Sequence, residues 1–342
     1  MTPPRRAYSM VILIVVAALT LFAFLMLDNN RAAKTVAAIG HQIQESCHPC
    51  HETARKFYFA VLVESQLMSW YFYAFAAMVL LWEGVQPVYR MPRLFSVSFF
   101  HDCIWFLLDA SFIGILLPVY HGFLFRFYHY HLAFLRVDMS RWPVAGQIFL
   151  ALLAADFVRW FHHLARHKVL LFWYFHTIHH SQRDLGPFTD SRVHPVERLV
   201  ENAISFIPFL SFGTEVTLAS FVGYYTFGYW HARFYHSNIK TNLGILRYIL
   251  VTPQSHRIHH SVKKEHRDKN FGAMFSIWDH LFGTQYRNYD EYPETGIDDV
   301  SFPHETELTW PSTLRTLLLQ LVYPFELGLR SLTEIGAPKQ AV

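Results

Sequence analysis

Eight histidines fall into one pair and two triplets: His163 and His167; His176, His179 and His180; His256, His259 and His260. In letters they read H-x-x-x-H and, twice, H-x-x-H-H, with a serine after each triplet, H-T-I-H-H-S and H-R-I-H-H-S. On a helix, positions i, i+3 and i+4 share one face, so each triplet presents its imidazoles in one direction. Imidazole is a ligand for zinc, copper, iron and nickel. Eight ligands are too many for one such ion and suit two. The bland alternative is a histidine-rich amphipathic surface, since the chain holds 22 histidines and some pairs arise by chance. Two ordered triplets and a pair within a hundred residues favour a metal centre.

The pair sits one turn apart on a helix that begins at or before Asp156. Asp156 lies two turns before His163 on the same face, where a carboxylate can accept the second N–H of a ligating histidine. The bland reading of Asp156 is a polar residue at a membrane interface. His162 is one helical step from His163 and is expected to face solvent or lipid headgroups.

A second motif is Cys47-His48-Pro49-Cys50-His51, a C-x-x-C-H. That pattern reads as a c-type haem attachment, with thioethers to Cys47 and Cys50 and His51 as axial ligand. His41 is the candidate for a second axial ligand. The alternatives are a redox-active or disulfide-bonded thiol pair, or an accessory metal site. The chain has only one further cysteine, Cys103, which excludes a disulfide framework.

The elements that must position these residues are apolar helices. Charged residues make up 16% of the 342 residues and hydrophobic residues 52%, against about a quarter charged in a soluble domain. Met10–Leu27 has no charge over 18 residues, enough to span a bilayer, and is expected to remain as an anchor rather than be cleaved. Further candidate spans are Phe57–Leu81, Phe99–Phe125 and Val144–Phe161. Ala203–Trp230, broken at Ser211–Thr214, is too short for two full spans and reads as a hairpin into one leaflet, turning near Gly213. Arg5 and Arg6 before the first span, and Arg90 and Arg93 after the second, put these ends in the cytoplasm. Arg166, Lys168, Arg183 and the basic residues after Trp230 put the histidine boxes there too. Pro311–Leu332 has apolar residues at helical spacing and is expected on the membrane surface or against the bundle. The expectation is an all-α integral membrane helical bundle, in a bacterial cytoplasmic membrane, with a histidine-rich metal core on the cytoplasmic side. Its parts are an anchor and C-x-x-C-H segment over 1–56, transmembrane helices over 57–143, a histidine-box core over 144–290 and a tail with an amphipathic helix over 291–342. The net charge of +3 is scattered, with no basic patch to bind nucleic acid.

The stretch DFVRWFHHLARHKVLLFWYFHTIHHS resembles the fatty acid hydroxylase/sterol desaturase superfamily. So do R-V-H-P-V-E at Arg192–Glu197, H-S-N at His236–Asn238, T-P-Q-S-H-R-I-H-H-S at Thr252–Ser261, N-F-G, and W-D-H-L-F-G-T at Trp278–Thr284. The resemblance covers about residues 150–286 and departs from the family where Leu164, not arginine, follows the first histidine. It implies two iron ions held by His163, His167, His176, His179, His180, His236, His256, His259 and His260. His231 is set aside because a spacing of five from His236 leaves the helical face. His194, before Pro195, is expected to support the site or the loop rather than bind an ion. Phe172, Trp173, Tyr174, Phe175, Tyr224, Tyr225, Phe227, Tyr229 and Trp230 are candidates to line a dry pocket.

The activity implied is an O2-dependent hydroxylation of a fatty acyl, sterol-like or other lipid C–H bond, with an external electron donor because no fused donor pattern is visible. Desaturation by the same centre is the alternative within the class. A histidine-lined metal transporter and a haem-bearing electron carrier are the alternatives outside it. A transporter should place its polar residues mid-membrane, whereas these boxes sit at the ends of spans.

Overall fold

The computed structural model describes residues 70–89, 96–139, 141–211 and 227–333. Among these the secondary structure is helical, with three isolated bridges and no strand. The apolar run Met10–Leu27 and the C-x-x-C-H motif lie outside the described residues. The helices are α1 (Trp70–Val85), α2 (Val97–Phe127), α3 (Val144–Lys168), α4 (Leu170–His180), α5 (Pro195–Ser211), α6 (227–235), α7 (Pro253–His259), α8 (Ile277–Phe282) and α9 (Trp310–Thr333).

Local chemistry sets several of these boundaries. Ser96 starts α2, its hydroxyl accepting from Phe99 N at 3.0 Å. α2 covers the apolar stretch expected at Phe99–Phe125 and runs into a π-helical turn at Tyr128–Leu132. Pro143 precedes α3 at the expected residue, Val144. α3 then continues beyond Phe161 to Lys168, where Val169 turns extended and α4 begins at once. Thr252 and Ser255 form a reciprocal capping box at the start of α7, with a proline in its first turn. Gly283, at φ +75°, ends α8 in the left-handed region.

Among the described residues α3 is the helix long and apolar enough to cross a membrane. Residues 73–85 of α1 are apolar but shorter, and residues 57–69 of the expected span lie outside the description. α5 starts at Pro195, well before Ala203, because Glu197, Arg198 and Glu201 in its first turns find buried partners. The turn expected near Gly213 falls among residues 212–226, which are not described.

α3 is central: it packs on α4 and α5, while α2 packs on α5 and α9 on α4. Tyr128, Ala155, Phe206, Leu210 and Met274 form one apolar cluster, and Trp105, Ile178, Phe302 and Tyr323 another. α9 buries Thr313, Thr316 and Gln320 and exposes Leu314, Leu318, Val322, Phe325 and Leu329. The same helix buries Tyr323 and packs Leu317, Leu321 and Leu327 on the second cluster, so apolar side chains leave it on both faces. A second exposed apolar group, Ile245, Ile249, Leu281 and Phe282, borders α3, with Phe282 stacked on Trp160 at 4.6 Å.

The segment from Asn270 to Thr284 is tied to α3 by two carboxylates. Asp156 accepts from Met274 N, Phe275 N and Trp278 Nε1 at 2.9–3.1 Å. Asp279 accepts from Phe271 N, Gly272 N, Thr284 Oγ1 and Trp160 Nε1 at 2.6–2.9 Å. A Cβ on Gly272 would lie 2.8 Å from Phe275 O and 2.7 Å from a Val251 methyl, so the N-F-G sequence leaves room only for glycine.

Candidate metal centre

α3 supplies His163 and His167, α4 supplies His176, His179 and His180, and α7 with its C-cap supplies His256, His259 and His260. His236 follows α6. Their ring nitrogens collect into two groups, each within 4.8 Å: His163, His167, His176, His180 and His259; and His179, His236, His256 and His260. Neither triplet therefore points in a single direction. In each, the i and i+4 histidines enter one group and the i+3 histidine enters the other. At 100° per residue, i+4 lies about 40° ahead of i and i+3 about 60° behind it. A triplet thus spans an arc of about 100° and addresses two adjacent points. The triplets meet face to face, with His180 and His260 stacked at 4.2 Å.

Hydrogen bonds at Nδ1 aim several of the rings. His163 donates to Phe271 O (2.9 Å), His259 to Lys269 O (2.9 Å) and His236 to Ala232 O (2.7 Å). A carbonyl only accepts, so Nδ1 carries the proton and Nε2 presents its lone pair. His176 Nδ1 lies 2.7 Å from Glu197 Oε1.

The donor set fits metal ions. In the first group Nε2 of all five histidines is buried and meets no hydrogen-bond partner among the described residues. In the second, Nε2 of His236 lies 3.1 Å from that of His179 and 2.8 Å from that of His256, which is 3.0 Å from that of His260. Lone pairs repel at such distances unless a cation or proton sits between them. Nitrogens bound to one ion at about 2.0–2.1 Å stand about 3 Å apart. Burial holds His176, His179, His180, His256 and His260 well below the usual histidine pKa, and His259 at about 4. The imidazoles are therefore neutral near pH 7, the state that binds metal.

Comparison with known proteins supports the family resemblance. A family model described as fatty acid hydroxylase matches residues 148–284, which contain all nine histidines. Residues 148–284, about two fifths of the chain, thus match the fatty acid hydroxylase family, in support of the fatty acid hydroxylase/sterol desaturase superfamily. The ornithine lipid hydroxylase OlsE of Rhizobium tropici is 29% identical over 186 residues, 54% of this chain and 52% of that protein. The alkylglycerol monooxygenase of Xenopus tropicalis is 28% identical over 234 residues, 68% of this chain and 47% of that protein. The human alkylglycerol monooxygenase is 32% identical over 144 residues, 42% of this chain and 31% of that protein. The chain thus spans about half the length, or less, of these curated relatives. No solved structure matches it.

The structure also corrects three sequence expectations. Asp156 accepts from the backbone and the tryptophan of the Met274–Trp278 segment, not from a histidine of the centre. His194 takes the structural one of its two expected roles: it donates Nε2–H to Leu321 O and accepts from Val196 N at Nδ1, so both nitrogens are used in joining α5 to α9. His162 is buried, with Nδ1 3.1 Å from Arg166 Nη2, because α3 continues into the protein past the expected end of the span. Of the aromatic residues expected around the site, Trp173 contacts His167 and His180, but Phe175 packs on His194 and Phe325, and Trp230 on Phe75. His231, set aside as a ligand, lies outside both groups and donates Nε2–H to Val251 O.

Three residues beside the histidine groups escaped sequence reasoning. Phe271 sets its ring against His163, His167 and His259, and Tyr235 covers His236 and His256. Glu197 supplies the histidine-orienting carboxylate expected of Asp156. Its signal was present in R-V-H-P-V-E: Glu197 opens a helix whose second half is largely apolar, with Glu201 one turn further on. Burial pushes the Glu197 carboxyl up to about 7, against the pull of Arg166.

Proposed function

We propose that this protein is an O2-dependent di-iron oxygenase that hydroxylates a C–H bond of a membrane lipid. The observation that carries the reading is the gathering of nine imidazoles, eight of them buried and His167 half-buried, into two adjacent groups within the segment that matches the fatty acid hydroxylase family. Iron bound there supplies the redox chemistry for activating O2, which zinc lacks. The chain's own residues do the rest. Nine neutral imidazoles bind; Phe271 O, Lys269 O, Ala232 O and Glu197 aim four of them; Phe271, Trp173 and Tyr235 keep water from the rings.

Three observations support a lipid as substrate and a membrane as the setting. α3 is long and apolar enough to cross a bilayer. α9 exposes Leu314, Leu318 and Leu329, and Leu281 and Phe282 give a further exposed apolar surface beside α3. The similar proteins are, by name, a hydroxylase of ornithine lipid and monooxygenases of alkylglycerol. We place the histidine boxes on the cytoplasmic side and the electron donor outside this chain.

Cells expressing the protein, grown under 18O2, are expected to contain a lipid class carrying one labelled hydroxyl, absent from cells expressing His259→Ala. Mass spectrometry of extracted lipids reads it. A product short of two hydrogens and free of label identifies a desaturase. Identical lipid profiles in the two cultures sink the oxygenase reading.

We further propose that Cys47 and Cys50 hold haem c with His51 as axial ligand, on the strength of the C-x-x-C-H spacing alone. Protein purified from a host that matures c-type cytochromes is expected to keep its Soret band after denaturation and to form a pyridine haemochrome. Haem-free protein from that host assigns the two cysteines to a thiol pair instead.

A further inference from the structure

The two histidine groups differ in what stands behind them. In the first, the ring of His176 is backed by the carboxylate of Glu197, 2.7 Å from Nδ1. In the second, His236 donates to a backbone carbonyl, and Nδ1 of His179, His256 and His260 has no hydrogen-bond partner among the described residues. The Asp190 carboxylate approaches His236 Nδ1 only to 4.0 Å, and its other oxygen is 3.3 Å from Arg233.

Glu197 is itself the end of a buried ladder of charges. Its Oε1 lies 3.1 Å from Arg166 Nη1, and Arg166 Nη2 lies 3.6 Å from Glu201 Oε1. Arg198 Nη1 reaches Glu201 Oε2 at 2.9 Å, and Arg198 also grips both oxygens of Asp109 at 2.9 Å. The ladder crosses from α2 through α5 to α3 and touches the first group at His176. Glu197 Oε2 is buried with no partner, so the acceptor strength of the carboxylate is directed through Oε1 to Arg166 and His176. A carboxylate that accepts from a ligating imidazole raises its basicity, which stabilises a higher charge on the bound ion. A neutral backbone carbonyl does so less.

We propose that Glu197 is a positioning residue that makes the two metal sites electronically unequal, acting through His176 on the five-histidine group. The ion there is the harder of the two to reduce. This rests on the di-iron reading above.

The test uses full-length protein loaded with 57Fe, read by iron content, Mössbauer spectroscopy and redox titration. Wild type is expected to show two unequal iron signals. Glu197→Gln, which keeps the shape and removes the charge, should retain both irons, move one signal towards the other, and make that iron easier to reduce. Glu197→Asp withdraws the oxygen from His176 and should move the same signal. Glu201→Gln removes a charge from the same ladder without breaking a hydrogen bond to a ligating histidine and should shift the signals by less than Glu197→Gln does. Equal signals in wild type overturn the proposal. So do spectra unchanged in both Glu197 variants, a Glu201→Gln shift as large as that of Glu197→Gln, or loss of both irons from the Glu197 variants alike, which marks a purely structural role. Wild-type protein that takes up no iron overturns the di-iron reading itself and is recognised from the metal analysis alone.

Discussion

His259→Ala and His179→Ala are each expected to lower lipid oxidation by more than about a hundredfold, the upper range for removing a partner of a metal ligand rather than the ligand itself. One residue comes from each group, and each is an i+3 histidine reaching across from its triplet. Each variant should therefore lose iron mainly from its own group. In the first group, loss of His259 leaves four imidazoles. In the second, loss of His179 leaves His236, His256 and His260, so iron should fall further in His179→Ala. Elemental analysis beside the lipid assay checks this. Full iron occupancy in both variants would falsify the nine-ligand assignment.

The second large effect is on stability and comes from a residue that touches no histidine. Asp279→Ala is expected to destabilise the protein by at least about 4 kcal/mol, since it leaves several buried donors unpaired at about 1–3 kcal/mol each. Those donors are Trp160 Nε1 on α3, Phe271 N, Gly272 N and Thr284 Oγ1. The consequence reaches the metal, because Phe271 also offers the carbonyl that orients His163. Thermal unfolding in detergent should shift down, and the iron that remains should be lost from the five-histidine group first. Asp279→Asn is expected to retain part of the stability: an amide oxygen still accepts, but its NH2 faces another donor. A melting temperature unchanged in Asp279→Ala would show that other groups satisfy these donors.

What the sequence by itself determined is local. The histidine types, their i, i+3 and i+4 spacing, the start of α3 at Val144 and the extent of α2 depend on neighbours within a turn or two, and those neighbours are written side by side. The division of each triplet between two groups was also latent there, because the helical step alone separates i+3 from the i and i+4 pair. Other assignments lay beyond local reading. Asp156 shares a helical face with His163, which suggested one as the partner of the other. Its carboxylate instead binds Met274 N and Phe275 N, more than a hundred residues away in the chain. His162 looked exposed because it lies one helical step from His163, yet Phe172 of α4 and Glu201 of α5 lie beside it. The sequence leaves His194 between supporting the site and supporting the loop, and α9 decides it, because Leu321 O takes its Nε2–H. A buried carboxylate or imidazole is satisfied by whichever donor or acceptor the packing brings within about 3 Å. That partner is chosen by how helices distant in sequence meet, and only the tertiary structure decides it.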